Sequence, residues 1–449
     1  VSWQEEVFGP MAERTLENAQ LYHLAHAYDL GRDSRLAKAI VERVNLELDQ
    51  EENRRGVLRI RPGELYLRTR RGPLILPLRL PEDVRRVVAG ERWESVRRDI
   101  LERCEARFRT AYPEASDKMV RAFLQSLWNW HRASQGQIQP SPWHASRTRR
   151  PWGTTAGLGE PIAELDAARR ASRLDGVEPR PAHRPETFER LSHFLREEAG
   201  VPPAVHEAML LDLMALRARF APRASMLRTG QMPLCAMHVD SARSLWQETR
   251  YQPLAPTVVS VFAGSERHQL RTRPLFAYED YLAFHGTRLA RMMMEAYRQD
   301  GLLSFAELQW ITLLSTGTVS RAVDYYQRMH NVILPCPGSV LDMGRMLTHK
   351  DIIVRLHLQG LSVLEIARQT YHNPRSVDAY LKAFDSVLIL HIYGLPPELM
   401  AGILGHGISL INEYLGLIAE DLKDVEQLRD YLRRRGVAIP LALTSGSSG

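Results

Sequence analysis

Ser362-Val-Leu-Glu-Ile-Ala-Arg-Gln-Thr-Tyr-His-Asn-Pro-Arg-Ser-Val-Asp-Ala-Tyr-Leu-Lys-Ala-Phe384 is the stretch on which the fold reading turns. Ser362 can cap the helix that follows it, and Glu365 three residues on completes a capping box. Tyr371, His372 and Asn373 interrupt the helical spacing, and Pro374 restarts it at the position proline favours. Ile366 and Ala367 face the crossing of the two helices, with Ala367 small where the backbones approach. Val377 and Tyr380 anchor the second helix, expected over Pro374 to Phe384. Its outer face keeps Arg375, Ser376, Asp378, Ala379 and Lys382. A helix over Asp351 to Gln359, stopped by Gly360, precedes the pair. This is the spacing of a helix-turn-helix.

Working outward, the same unit recurs downstream. Gly394-Leu395 matches Gly360-Leu361, Ala401 matches Ala367, Ile411 matches Val377, and Tyr414-Leu415 matches Tyr380-Leu381. Gly405 falls at the turn, beside His406 in the place of His372. This copy's outer face offers Ser409, Asn412 and Glu413 with no base, so packing or dimerisation competes with DNA contact there. A third copy lies upstream. Ser304 and Glu307 repeat the capping pattern, and Leu308 and Val319 stand where Ile366 and Val377 do. Its second helix carries Thr318, Ser320, Arg321, Asp324 and Arg328, and Asn331 to Gly338 is expected as a short wing.

Together with Leu334-Pro-Cys-Pro-Gly338, Asp342-Met-Gly-Arg-Met-Leu-Thr-His-Lys350 and Glu413-Tyr414, these motifs resemble the prokaryotic domain-of-unknown-function family 1670. The resemblance covers about Ser192 to Ala419. It implies DNA binding through helix-turn-helix units, in a mobile-element or regulatory setting. The residues expected at DNA are Thr318, Ser320, Arg321, Arg328, Lys350, Arg375, Ser376, Lys382, Ser409 and Asn412.

Charge tempers that expectation. From His349 to Ile418 the net charge is about −1, poor for attracting phosphate. Between Arg54 and Arg98 stand 13 arginines against five acids. Arg54, Arg55, Arg59, Arg61, Arg68, Arg70 and Arg71 are therefore the expected phosphate-binding patch, against the plainer reading of a solvated arginine-rich surface. Across all 449 residues the formal charge is +6, with five lysines among 59 bases; a GC-rich genome is the favoured cause of the arginine excess, ahead of phosphate binding by guanidinium forks.

The expected fold class is mainly α with small antiparallel β elements (α+β). The expected regions are an N-terminal α+β part (1–135), a proline- and arginine-rich linker (136–185), a middle α+β part (186–280), a first helix-turn-helix (281–345), a tandem pair (346–430) and a tail (431–449) whose Gly-Ser end reads as flexible linker. In the N-terminal part Ala19 to Leu48 looks helical. Alternation at Leu58, Ile60, Leu65 and Leu67 and the run Pro73 to Arg79 look like a small antiparallel sheet. Thr257 to Ala263 is a strand candidate. The region from Val201 to about Phe262 repeats the helix-then-strands order of the N-terminal part, with Arg61-Pro-Gly-Glu64 and Arg228-Thr-Gly-Gln231 at matching places, as an old duplication would leave them.

No run approaches the roughly 18 apolar residues of a membrane span and no secretory leader is visible, so a cytoplasmic, nucleoid-associated protein is expected. Cys104, Cys235 and Cys336 have no disulfide or zinc-finger spacing. His238 and Asp240 after Cys235 are too few for a metal site, and Met292-Met-Met294 reads as core. Trp128 and Trp130 read as core or interface. No P-loop, GxGxxG, HExxH or nucleophile elbow is present, and no cofactor, metal or catalytic group is expected. The expected partners are double-stranded DNA and either a second copy or a mobile-element protein. The competing functions are a recombinase or transposase, for which Asp240, Glu279 and Asp280 could be drafted, and a protein-interaction scaffold.

Overall fold

The computed structural model describes residues 2–128, 185–241, 253–262, 278–330, 332–341, 350–422 and 431–434. The expected linker up to residue 184, Trp130 and the Gly-Ser tail lie outside them. The chain divides into two compact units, Val1–Tyr326 with Pro335–Pro337, and Gln327–Leu334 with Gly338–Gly449. Among the described residues no helix is long and apolar enough to cross a membrane.

The first unit opens with helices α1 (Trp3–Ala12), α2 (Leu16–Ala27) and α3 (Ser34–Arg54), capped by Ser2, Thr15 and Asp33. Strands β1 (Glu64–Thr69) and β2 (Gly72–Pro77) form a hairpin, followed by α4 (Pro81–Val88), α5 (Trp93–Ala111) and α6 (Asp117–Trp128). Then come α7 (Pro185–Glu197), α8 (Pro203–Phe220), β3 (Gln231–His238), β4 (Leu254–Ser260), α9 (Tyr278–Tyr297), β5 (Gly301–Leu302), α10 (Phe305–Thr312) and α11 (Thr316–His330). The sheet runs β2-β1-β3-β4, with β5 paired to β3, all antiparallel. The N-terminal and middle parts of the chain therefore share one sheet and fold together.

β3 is marked in the sequence by its turn rather than by its own pattern. It sits in the sheet centre and is buried from Met232 to Met237, so it lacks the polar alternation of a half-exposed strand. Leu58 and Ile60 were expected in the hairpin. They instead flank an isolated bridge, Arg59 to Arg223, because Gly63 turns the chain before β1.

The two corners of the sheet match bond by bond. The Gly63 N–H donates to the Pro233 carbonyl at 2.8 Å, and the Gly230 N–H donates to the Tyr66 carbonyl at 2.7 Å. The Arg61 N–H is held by the Glu64 carboxylate at 2.7 Å and the Arg228 N–H by the Gln231 amide oxygen at 2.7 Å. Gly63 and Gly230 adopt φ of 89° and 88°. A side chain at Gly63 would sit 2.1 Å from the Arg79 carbonyl oxygen, and one at Gly230 would sit 3.1 Å from that of Phe262. Before the strands, α2–α3 and α7–α8 are paired hairpins turned by left-handed Asp29 and Gly200. After them, α5 packs on β2 and α9 on β4. Two αα-ββ-α halves thus meet about an approximate two-fold axis between β1 and β3. Leu24, Ile40, Val44, Leu195, Leu210 and Leu213 fill the helical interface between them.

A buried charge cluster ties α10 into this unit. Glu307 is fully buried, 2.6 Å from Arg14 and 3.5 Å from Arg79. Burial pushes its carboxyl up. The two guanidinium charges and the hydrogen bonds from Arg14 and the Ser304 backbone outweigh that and hold it below the usual carboxylate range.

The second unit contains α13 (Lys350–Leu358), α14 (Val363–Thr370), α15 (Pro374–Ile392), α16 (Pro397–Leu404) and α17 (Ile408–Asp421) around one core. α15 does not stop at Phe384 as expected, because no breaker occurs before Gly394. Its first half closes one three-helix unit and its second half opens the next. The ends match: Gly360 and Gly394 are both left-handed, and Leu361 and Leu395 donate to Leu356 and Leu390, each at 3.2 Å. Between Gln327 and α13, Ile333, Leu334 and Cys336 are buried, and the chain enters a short helix, α12 (Pro337–Leu341). Of the expected wing, residues 333–336 are buried coil, Val332 is exposed and Pro337 opens α12; Asn331 lies outside the described residues.

Candidate nucleic-acid interface

Three helix pairs share one local geometry: α10–α11, α14–α15 and α16–α17. Each opens with an eight-residue helix. Each turn begins on a left-handed residue, Leu313 at φ 55°, Tyr371 at 59° and Gly405 at 63°. Holding Leu313 and Tyr371 there costs about 1–2 kcal/mol each, so packing of the two helices imposes the turn. Ser304–Glu307 and Ser362–Glu365 form complete capping boxes. Ser315 binds the Thr318 N–H and Asn373 the Arg375 N–H, fixing the starts of α11 and α15. The third pair has no side-chain cap on either helix.

In the second pair, Val377, Leu381 and Phe384 are buried and Arg375, Ala379 and Lys382 are exposed on the other side of α15. Leu381 rather than the half-buried Tyr380 serves as anchor. Ser376 is half-buried. Lys382 leans 2.7 Å from Asp378, an exposed i,i+4 pair that a stronger anion can displace.

The first pair is asymmetric. α10 is buried from Ala306 to Thr312, Trp310 included, so only α11 has an open face. Arg321 and Arg328 are exposed there, while Thr318 and Ser320 are half-buried. Arg321 binds the Gly317 carbonyl and lies 5.9 Å from the Tyr278 ring. α11 approaches α9 so closely that a side chain at Gly286 would meet the Ala322 carbonyl oxygen at 2.6 Å. Beside it, His285 is fully buried; burial, then the Arg288 charge, pushes its pKa down to about 3, so the ring stays neutral.

The third pair exposes Ser409, Asn412 and Glu413, and also Leu399 (51%), Ile403 (56%) and Ile408 (43%). The matching positions of the second pair hold Glu365, Gln369 and Pro374. Lys350, expected at DNA, is 20% exposed and 3.6 Å from Glu413.

Of the seven arginines expected to bind phosphate, Arg59 alone has a buried side chain, and several others meet acids. Arg59 is 8% exposed, held by Glu52 at 2.6 Å and by the Ala221 carbonyl, so it is a structural group. Arg55 pairs with Glu51, Arg61 with Asp49, and Arg71 with Glu114 while lying over Tyr112. Arg54 is exposed and bonds the Gln50 carbonyl. Arg68 and Arg70 stay exposed at the β1–β2 end. Arg228, which sequence reasoning did not select, joins them because the Arg68 N–H bonds the Thr229 hydroxyl at 2.9 Å. Only β1–β3 pairing brings these distant segments together.

Cys235 is buried in β3 and its thiol is pushed up by burial. The His238 ring accepts the Asp240 N–H. Among the described residues no three His, Cys, Asp or Glu side chains are placed to hold a metal, and Asp240, Glu279 and Asp280 form no such group.

Residues 196–417 match the model of a family described as a protein of unknown function, DUF1670. This segment belongs to DUF1670. It contains α8, the β3–β4 strands and all three helix pairs, and leaves the first αα-ββ-α half outside. No curated protein and no solved structure matches the chain.

Proposed function

We propose that the chain is a sequence-specific DNA-binding protein that reads the major groove with α15 and α11. The observation that carries this is the first half of α15. It follows a capped three-residue turn, is held from behind by Val377, Leu381 and Phe384, and presents Arg375, Ala379 and Lys382 together. Arginine there suits the two acceptors of guanine, and a small alanine lets the helix approach the bases. α11 offers Arg321 and Arg328 in the same way. A transcriptional or mobile-element targeting role fits such a reader.

The third pair favours a second reading for itself alone. Apolar Leu399, Ile403 and Ile408 stand where the second pair has polar or proline positions, and its base-free second helix suits packing against protein rather than DNA.

The test is Arg375→Ala with Lys382→Ala, assayed on the duplex selected by the unaltered chain. Loss of about tenfold or more in specific affinity, with binding to mixed sequence retained, supports the reading. Unchanged specific affinity overturns the role of α15.

A further inference from the structure

The approximate two-fold of the first unit creates two equivalent corners, and they have diverged. At one, the turn Arg61–Gly63 runs beside β3. Its arginine lies 3.4 Å from Asp49, a carboxylate that also binds Arg217 at 2.6 Å. The strand it borders continues inward as buried Cys235, packed on Leu16, Ala19 and Phe220. At the other, the turn Arg228–Gly230 runs beside β1, tied by the Gly230 N–H to the Tyr66 carbonyl and the Arg68 N–H to the Thr229 hydroxyl. There Cys235's counterpart on β1 is Arg68, and the turn after the strand carries Arg70 and Arg71. Arg71 is matched by Glu114. Arg68, Arg70 and Arg228 are exposed and form no ion pair among the described residues.

From this broken symmetry we infer that Arg68, Arg70 and Arg228 form a phosphate-gripping corner that holds the backbone of bound DNA. The inference rests on DNA being the partner. Like charges repel, and three exposed arginines on segments joined by the Arg68–Thr229 bond, none in an ion pair among the described residues, gain from a polyanion. The helix pairs of the second unit, with a net charge of about −1, need such a grip elsewhere in the chain. Guanidinium forks match phosphate oxygens and carry no base information, so the corner contributes affinity rather than sequence preference. The sheet supplies rigidity: both turns are locked to the neighbouring strand by backbone bonds.

The experiment is binding of the full chain to mixed-sequence duplex across a salt series. It compares the unaltered protein, Arg68→Gln with Arg70→Gln and Arg228→Gln, and Arg61→Gln at the diverged corner. Thermal unfolding checks that each variant keeps its fold. The triple variant is expected to flatten the dependence of log K on log salt by about two to three, near one for each phosphate no longer gripped, and Arg61→Gln to leave it unchanged. An unchanged slope in the triple variant overturns the corner, as does failure of the unaltered chain to bind any duplex at low salt. Failure of the groove reading looks different: selection then enriches no motif, while the triple variant still flattens the slope.

Discussion

The Tyr414 hydroxyl donates to the Tyr380 carbonyl at 3.2 Å, and the two tyrosines hold the same place in units 34 residues apart. Tyr414 is buried and packs edge-on against Phe384 at 5.8 Å. One side chain thus joins the second helix of one pair to the second helix of the next. Helical Tyr380 offers a carbonyl that the α15 ladder also uses, so loss of the hydroxyl alone is mild. Tyr414→Phe should cost about 0.5–1 kcal/mol in urea unfolding, and Tyr414→Ala about 3–5 kcal/mol through the cavity it leaves. Equal costs would show that the hydroxyl, not the ring, couples the units.

The Gly405 turn gives a test free of packing. A side chain at Gly405 would meet nothing within 4 Å, yet its φ is 63°. Gly405→Ala should therefore destabilise by about 1 kcal/mol through backbone strain alone. Tyr371→Gly relieves the same strain in the preceding unit, offset by the entropy glycine adds to the unfolded chain. It should change stability by less than about 1 kcal/mol, although a bulky residue is removed.

Glu307 links acid stability to the first helix pair. Its folded pKa lies below its ordinary value of 4.5, so its contribution is fully present above that value. It is lost as pH falls through the depressed folded value. Glu307→Gln leaves Arg14 and Arg79 buried without their acid and should cost about 3–5 kcal/mol at pH 7. In denaturant titrations the gap between variant and unaltered protein should narrow only below about pH 4.5. A gap that narrows between pH 6 and 8 would point to another group.

Much of this was legible where punctuation is local. Ser362, Glu365, Asn373 and Pro374 determine their own neighbours, so the second helix pair lies where its caps place it. The paired glycine turns at Gly63 and Gly230 were legible for the same reason. Three things were not. β3 is apolar on both faces and so carries no alternation. Whether an arginine is spent on a carboxylate depends on contacts across the fold: Arg59 meets Glu52 and the Ala221 carbonyl, and Lys350 meets Glu413 from the far end of its unit. Arg228 reaches the arginine corner only through strand pairing.

The most direct measurement is selection of bound duplexes from a random library by the full chain over a salt series, with sequencing of what is retained. A single enriched motif that disappears with Arg375→Ala and Lys382→Ala is the predicted result. Retention without enrichment at every salt concentration, or the same motif retained by the double variant, would contradict major-groove reading by α15.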